Sequence, residues 1–179
     1  DANGDNVYQV LVRAFDGSLA GTQALAVTVT NVNESPRITS DGGGAVATLS
    51  VPENTTAATD VDATDPDAGT TLTFSIAGGA DAALFVIDGG TGVLSFLAAP
   101  DFEAPADANG DNVYEVAVTA SDGALADTQD ISATVTDAND PPVVTSPASA
   151  LVAEGTTAVI AVVASDVEGD PLTYGIGGG

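Results

Sequence analysis

Cysteine, histidine and tryptophan are absent from the 179 residues, and the only two basic side chains are Arg13 and Arg37. Each absence removes a class of chemistry. Without Cys there are no disulfide staples and no thiolate metal sites. With His missing too, the usual transition-metal ligands are gone, and no nucleophile has a base beside it. Without Lys, covalent Lys to Asn crosslinks cannot form. The GGG runs at Gly42 and Gly177 have no lysine to reach a phosphate and no helix after them, so they read as turns and not as phosphate cradles. Asp101 and Glu103 pair two carboxylates, but a glycosidase also needs a cleft that holds sugar. With 4% aromatic residues and three Tyr, that cleft has no walls. The chain is not expected to be an enzyme. No hydrophobic run approaches the roughly 18 residues of a membrane helix, and no leader-like segment opens the chain, so membrane insertion is not expected.

Positive charge is nearly missing as well. Twenty-six acidic residues face the two arginines, for a formal charge of −24. Nucleic acid and anionic membranes are excluded as partners. A surface this acidic repels itself on compaction unless counterions or bound metal neutralise it.

Among the residues that are present, 44% are hydrophobic, mostly Val, Ala, Leu and Ile, accompanied by many Thr and by 20 Gly. That mixture favours pleated strands and tight turns over helices. The chain also repeats itself. Residues 1–40 align without gaps on residues 107–146, with 24 of 40 positions identical, beginning with DANGDNVY in both copies. Further on, VPENTTA at Val51 is echoed by VAEGTTA at Val152, and ATDPDAGTTLTFSIAGG at Ala63 by ASDVEGDPLTYGIGGG at Ala164. The expected organisation is the last part of one repeat over residues 1–34, a complete repeat over 35–140, and the first part of a third over 141–179. The segment reads as an excerpt from a longer array.

Within residues 35–140, period-two alternation marks about seven strands. VYEVAVTA places Tyr114, Val116, Val118 and Ala120 on one face, and TLTFSI does the same with Leu72, Phe74 and Ile76. Other runs are ALFVI, GVLSF, DISATVT, ATLSV and the stretch from Ala57 to Thr64. Seven short strands in about a hundred residues, with no convincing helix, predict an all-β, Greek-key, immunoglobulin-like sandwich.

The acidic residues collect at strand ends and in the linkers: Glu53 in PEN, Asp65 and Asp67 in DPD, Asp101 and Glu103 in DFE, Asp122 in SDG, Asp137, Asn139 and Asp140 in DANDPP. A merely solubilising surface would scatter them. Calcium takes six to eight oxygens at about 2.3–2.6 Å, so crowded carboxylates point to that ion. DANGDNVY itself is not a helix-flanked calcium loop. Its sixth position is Asn112 where glycine belongs, its twelfth is Val118 where a bidentate glutamate belongs, and it runs straight into a strand. It reads as a turn-rich insertion with room for at most an extra, weak ion site.

PEN, DxD, DFE, AxDG and DxNDxP, in that order along about 106 residues, resemble the cadherin repeat, and most closely the cadherin-like tandem repeats of large bacterial surface proteins. The resemblance implies sandwiches joined end to end, with calcium bound at each junction by the base of one repeat, the linker and the top of the next. Carried onto this chain, it assigns the second junction to Glu53, Asp101, Glu103, Asp137, Asn139, Asp140, Asp166 and Glu168, with carbonyls of Ala138 and Pro141. It assigns the first to Asn31, Asn33, Glu34, Asp65, Asp67 and Asp122. Asn31 removes a charge where the other copy has Asp137, and Glu34 replaces the shorter Asp140, so the first junction is expected to hold fewer ions or hold them less tightly. Glu168 stands where the DxD pattern has Asp. The implied role is a calcium-stiffened, extracellular or cell-surface segment serving adhesion or acting as a stalk, with calcium affinity of about 0.1–1 mM, as in extracellular modules. Its implied partners are calcium, neighbouring repeats and like repeats on other chains. Two other classes remain open: a self-assembling fibre subunit, and a module that binds a surface polysaccharide.

Overall fold

Residues 4–177 are described by a computed structural model. The first three letters of the leading DANGDNVY and the last two of the closing GGG run lie outside the described residues. Strands are the only extended regular elements in it. A hairpin of β1 (Val7–Phe15) and β2 (Ala20–Thr28) comes first. It is followed by β3 (Arg37–Ile38), β4 (Val46–Pro52), β5 (Ala57–Asp60), β6 (Ala63–Thr64), β7 (Thr73–Gly78), β8 (Phe85–Ile87) and β9 (Val93–Phe96). Two long strands, β10 (Val113–Ser121) and β11 (Ala126–Thr136), precede the short β12 (Val143–Val144) and β13 (Ala164–Ser165). Two single-turn 3-10 helices, Ser40–Gly42 and Ala82–Leu84, are the only helical pieces among the described residues.

Alternation puts one face of β10 inside. Tyr114, Val116, Val118 and Ala120 are buried while Glu115 is exposed. On β11 the buried set is Gln129, Ile131, Ala133 and Val135. These strands are central to a four-stranded sheet ordered β4-β11-β10-β7, in which β4 runs parallel to β11 and the other pairs are antiparallel. A three-stranded sheet, β5-β9-β8, faces it, and β3 pairs with β6. Parallel β4 and β11 cannot be joined by a tight turn, so the chain crosses to the second sheet between them, as a sandwich requires. The core draws Phe85, Leu94 and Phe96 from the second sheet against Tyr114 and its neighbours from the first. The rings of Phe96 and Tyr114 meet edge to face at 5.2 Å. The buried Tyr114 hydroxyl accepts the Ala106 N–H at 3.1 Å.

The strands differ in detail from the sequence expectation, for local reasons. Ala57–Thr64 splits into β5 and β6, the first joined to β9 and the second to β3. ALFVI starts as a 3-10 turn, and only Phe85–Ile87 extends. At two residues, β3 is too short to show a period. The internal repetition survives in three dimensions: β12–β13 pairs Val143 with Ser165, as β3–β6 pairs Arg37 with Thr64. Thr145 N–H donates to Val163 C=O at 2.9 Å, as Thr39 N–H does to Asp62 C=O at 2.8 Å.

The packed core lies wholly between Ile38 and Val135. Tyr8, Val10 and Val12 on β1 are each about half exposed, although Tyr114, Val116 and Val118, their counterparts 106 residues on, are buried. Residues 145–163 contain no strand at all.

Candidate metal centre

One end of the sandwich gathers the PEN turn after β4, the DFE loop after β9 and the linker after β11. Glu53 ties the three together. It is 2% exposed, and its two carboxylate oxygens accept the Ala138 N–H at 2.8 Å and the Phe102 N–H at 2.8 Å. Its own N–H donates to Thr136 C=O at 3.0 Å. The chain can bury this carboxylate because charge-assisted bonds to backbone N–H groups replace its water.

Around Glu53 the acidic residues converge as two triads with a shared member. Ligand oxygens of Glu53, Glu103 and Asp140 lie within 4.8 Å of one another, and so do those of Glu103, Asp137 and Glu168. That separation is shorter than the roughly 8 Å over which physiological salt screens charge, so the repulsion is felt. Although Glu103 is exposed as a residue, partial loss of water around its carboxyl is the first cause pushing it above its ordinary value, with Glu53, Asp137 and Glu168 adding like charge. Glu168 is pushed up by burial and by Asp166, against the opposing pull of backbone N–H groups, including that of Asp140. Both Glu168 oxygens are shielded from solvent, and neither has a donor in hydrogen-bond geometry. No cationic side chain offsets the group: Arg13 sits 5.4 Å from the Phe15 ring and Arg37 donates to Gly43 C=O. Hard carboxylate oxygens in this number, two of them buried without a well-aligned donor, suit an oxygen-seeking dication such as calcium.

The remaining residues assigned to this junction lie close by in part. Asp101, Asp140 and Asp166 line a cleft of about 630 Å³ together with Asn54, Glu103, Pro141 and Val143. Asp101 spends one oxygen on the Ala104 N–H at 2.9 Å, and Asp166 spends one on the Asp170 N–H at 3.1 Å. Asn139 Nδ2 donates back to Asp140 C=O at 3.1 Å. Asn54, which the motifs do not mark as a site residue, donates to the Asp140 carboxylate at 2.8 Å. A signal for it existed. Asn54 has φ 60°, and its aligned partner Gly155 has φ 84°, so the Asn/Gly exchange between PENT and AEGT marks a left-handed turn that aims the amide.

The first junction is built differently. Asn31 Nδ2 donates to one Asp67 oxygen in a very short contact, and Glu34 N–H donates to the other at 2.9 Å. Asn33 Nδ2 donates to Asp122 at 2.7 Å. Asp65 accepts the Asp67 N–H at 2.7 Å through one oxygen, while its other oxygen is buried without a partner. The Asn31 amide, followed by the Glu34 N–H, holds the Asp67 carboxyl below its ordinary value. Asp122 is held low first by the Leu125 and Ala124 N–H groups of its own turn and then by Asn33. No carboxylate triad forms here among the described residues. Where the second junction opposes Asp137 to Glu168, this one opposes Asn31 to Asp67, so an amide donor stands where the second junction has a carboxylate.

The DANGDN loop folds around the Asp107 carboxylate. Asp107 accepts N–H groups from Gly110 at 2.7 Å, Asp111 at 3.0 Å and Asn112 at 3.2 Å. Burial pushes its carboxyl up, but these N–H bonds outweigh burial and hold it below the ordinary value. Asp81, 5% exposed, fastens the loop to the sandwich by accepting Ala108 N–H at 2.7 Å and Glu115 N–H at 2.8 Å.

No family model matches the chain. Halomucin of Haloquadratum walsbyi is 43% identical over 65 residues, which is 34% of this chain and 1% of that protein. Among solved structures, protocadherin gamma-B7 extracellular cadherin domains 1–4 align with a TM-score of 0.57 and 26% identity, over 93% of this chain and 42% of that one. The protocadherin gamma-B7 EC3–6 cis-dimer structure gives 0.56 and 24%, over 93% and 45%. Human CDH23 EC21–23 gives 0.58 and 21%, over 90% and 54%. The chain therefore shares the β-sandwich of cadherin extracellular domains, and it spans about half or less of each of these chains.

Proposed function

We propose that this chain is a calcium-stiffened, cadherin-like segment of an extracellular or surface protein, acting as a stalk or as part of an adhesive array and not as an enzyme. The observation that carries the reading is Glu168. Two carboxylate oxygens withdrawn from water, with only poorly aligned backbone N–H groups near them, beside Asp137 and the shared Glu103, are tolerable in company with a cation and costly without one. Bound calcium supplies positive charge and open oxygen coordination at such a group.

The protein's own residues do the rest. Glu53 fixes the linker to the DFE loop through Ala138 and Phe102. Glu103 lies in both triads, and Glu168 brings the segment after β13 into the second of them. Neutralising that group holds the linker between residues on either side of it, which converts a hinged connection into a fixed one. The shared sandwich of the protocadherin and CDH23 structures and the partial likeness to halomucin support an outward-facing location. Solution scattering in calcium and in chelator tests the reading. A longer, narrower distribution of dimensions is expected with calcium, and identical profiles contradict it.

A further inference from the structure

The DANGDN loop binds no side chain of the two triads directly, yet it is the stretch that the chain repeats letter for letter. Its last residue, Asn112, reaches out of it. Asn112 Nδ2 donates to Phe102 C=O at 2.8 Å. Phe102 is the centre of DFE, and its N–H is the one held by Glu53 at 2.8 Å. The peptide groups on the two sides of Phe102 are thus each held by a side chain, by Glu53 on the Asp101 side and by Asn112 on the Glu103 side. The second of these peptide units contains the backbone nitrogen of Glu103, the residue common to both triads.

Asn112 is itself held rigidly. Its backbone sits at φ 62°, a conformation Asn tolerates and most residues avoid. Its N–H donates to Asp107 at 3.2 Å and its C=O accepts the Val135 N–H of β11 at 2.8 Å. Asp107 in turn is fastened through Ala108 to the buried Asp81. A continuous set of bonds therefore runs from the sandwich, through the loop, to the DFE backbone. In the first copy Asn6 has φ 58° and accepts the Val29 N–H at 2.9 Å, so the same conformation is built there.

We propose that Asn112 is a positioning residue for the second junction: it clamps the Phe102 carbonyl so that Glu103 is presented to both carboxylate triads, and the DANGDN loop is the buttress that holds the clamp. This rests on the calcium reading above for its consequence, but not for its geometry. Outer residues that orient ligands are typically worth about 10–100-fold in metal affinity.

The test uses the whole chain with Asn112→Gly, which keeps the left-handed backbone and deletes the amide, and Asn6→Gly as the matched change in the other copy. In chelator, hydrogen exchange at the Phe102, Glu103 and Ala104 amides is expected to quicken in Asn112→Gly while β10 and β11 stay protected. Calcium titration well below the melting temperature is expected to show at least about a tenfold weaker affinity for Asn112→Gly and an unchanged one for Asn6→Gly. Unchanged exchange at Phe102 to Ala104 overturns the positioning role whatever calcium does. Faster exchange with unchanged affinity overturns the link to the triads. A wild-type chain that takes up no calcium contradicts the proposed function, and the exchange experiment alone then decides the role of Asn112.

Discussion

Glu53 and Glu103 are both glutamates at the same junction, and they are expected to respond in opposite ways to substitution. Glu53 is satisfied by two backbone N–H groups. Glu53→Ala strands both of them, and urea unfolding in chelator should show a loss of about 2–4 kcal/mol. Glu103 is pushed toward its protonated form by partial loss of water and by three neighbouring carboxylates. Glu103→Gln should therefore raise the melting temperature in chelator while weakening calcium binding. The same difference governs pH. Carboxyls with raised values, Glu103 and Glu168, stabilise the ion-free fold below their ordinary 4.5, and that contribution is lost as pH rises through their raised values. Asp67 and Asp122 are held below 3.8, so their contribution persists above that value and is lost only as pH falls beneath it. Calcium affinity should accordingly fall as pH drops from 7 toward 4.5 and Glu103 and Glu168 take up protons, a fall that Glu103→Gln should flatten. Sequence pattern picks out Glu53, Glu103, Asp137, Asp140 and Glu168, the carboxylates that the fold gathers into the two triads, because their motifs recur in the turns, loop and linker that follow strands. It did not find Asn54 or Asn112, because a left-handed asparagine becomes visible only once its turn is built.

At the scale of elements, nearly all of β10 and residues 130–136 of β11 are legible because eight and seven residues of alternation leave little choice of face, whereas residues 126–129 of β11 are not marked as strand by their sequence. β3 and β6 were not legible as a pair, because two residues show no period and only the partner strand defines them. Residues 145–163 are as apolar as a strand sequence and still form none. In residues 35–140 the equivalents β4 and β5 are held by pairing with β11 and β9. Strands need neighbours for their backbone groups. Between β8 and β9 the sandwich tolerates no side chain at Gly92, whose φ is 78° and whose added Cβ would lie 2.1 Å from Val61 C=O. That carbonyl cannot retreat freely, since the Val61 N–H donates back to Gly92 C=O at 2.9 Å. Gly92→Ala should destabilise the fold by about 1–3 kcal/mol, measurable by urea unfolding, with β5–β9 pairing the first to lose exchange protection.

For the whole molecule, 26 acidic residues against two basic ones make electrostatic repulsion the main force acting outside the core. Two ways of relieving it have to be separated. Monovalent salt screens every carboxylate over about 8 Å at physiological strength, whereas a site-bound dication relieves only the group around Glu103. The asymmetry between the junctions sharpens this, since Asn31 and Asn33 already hold Asp67 and Asp122 by hydrogen bonds while Asp137 and Glu168 face each other as carboxylates. The most direct measurement is the melting temperature of the whole chain in calcium and in chelator, at one fixed ionic strength set with sodium chloride. A site of about 0.1 mM affinity, given 10 mM calcium, should stabilise the fold by about 2.7 kcal/mol, with a melting temperature that climbs with calcium concentration and a smaller rise in Glu103→Gln. Superimposed melting curves in calcium and chelator, or a rise that equivalent sodium chloride reproduces, would contradict the account.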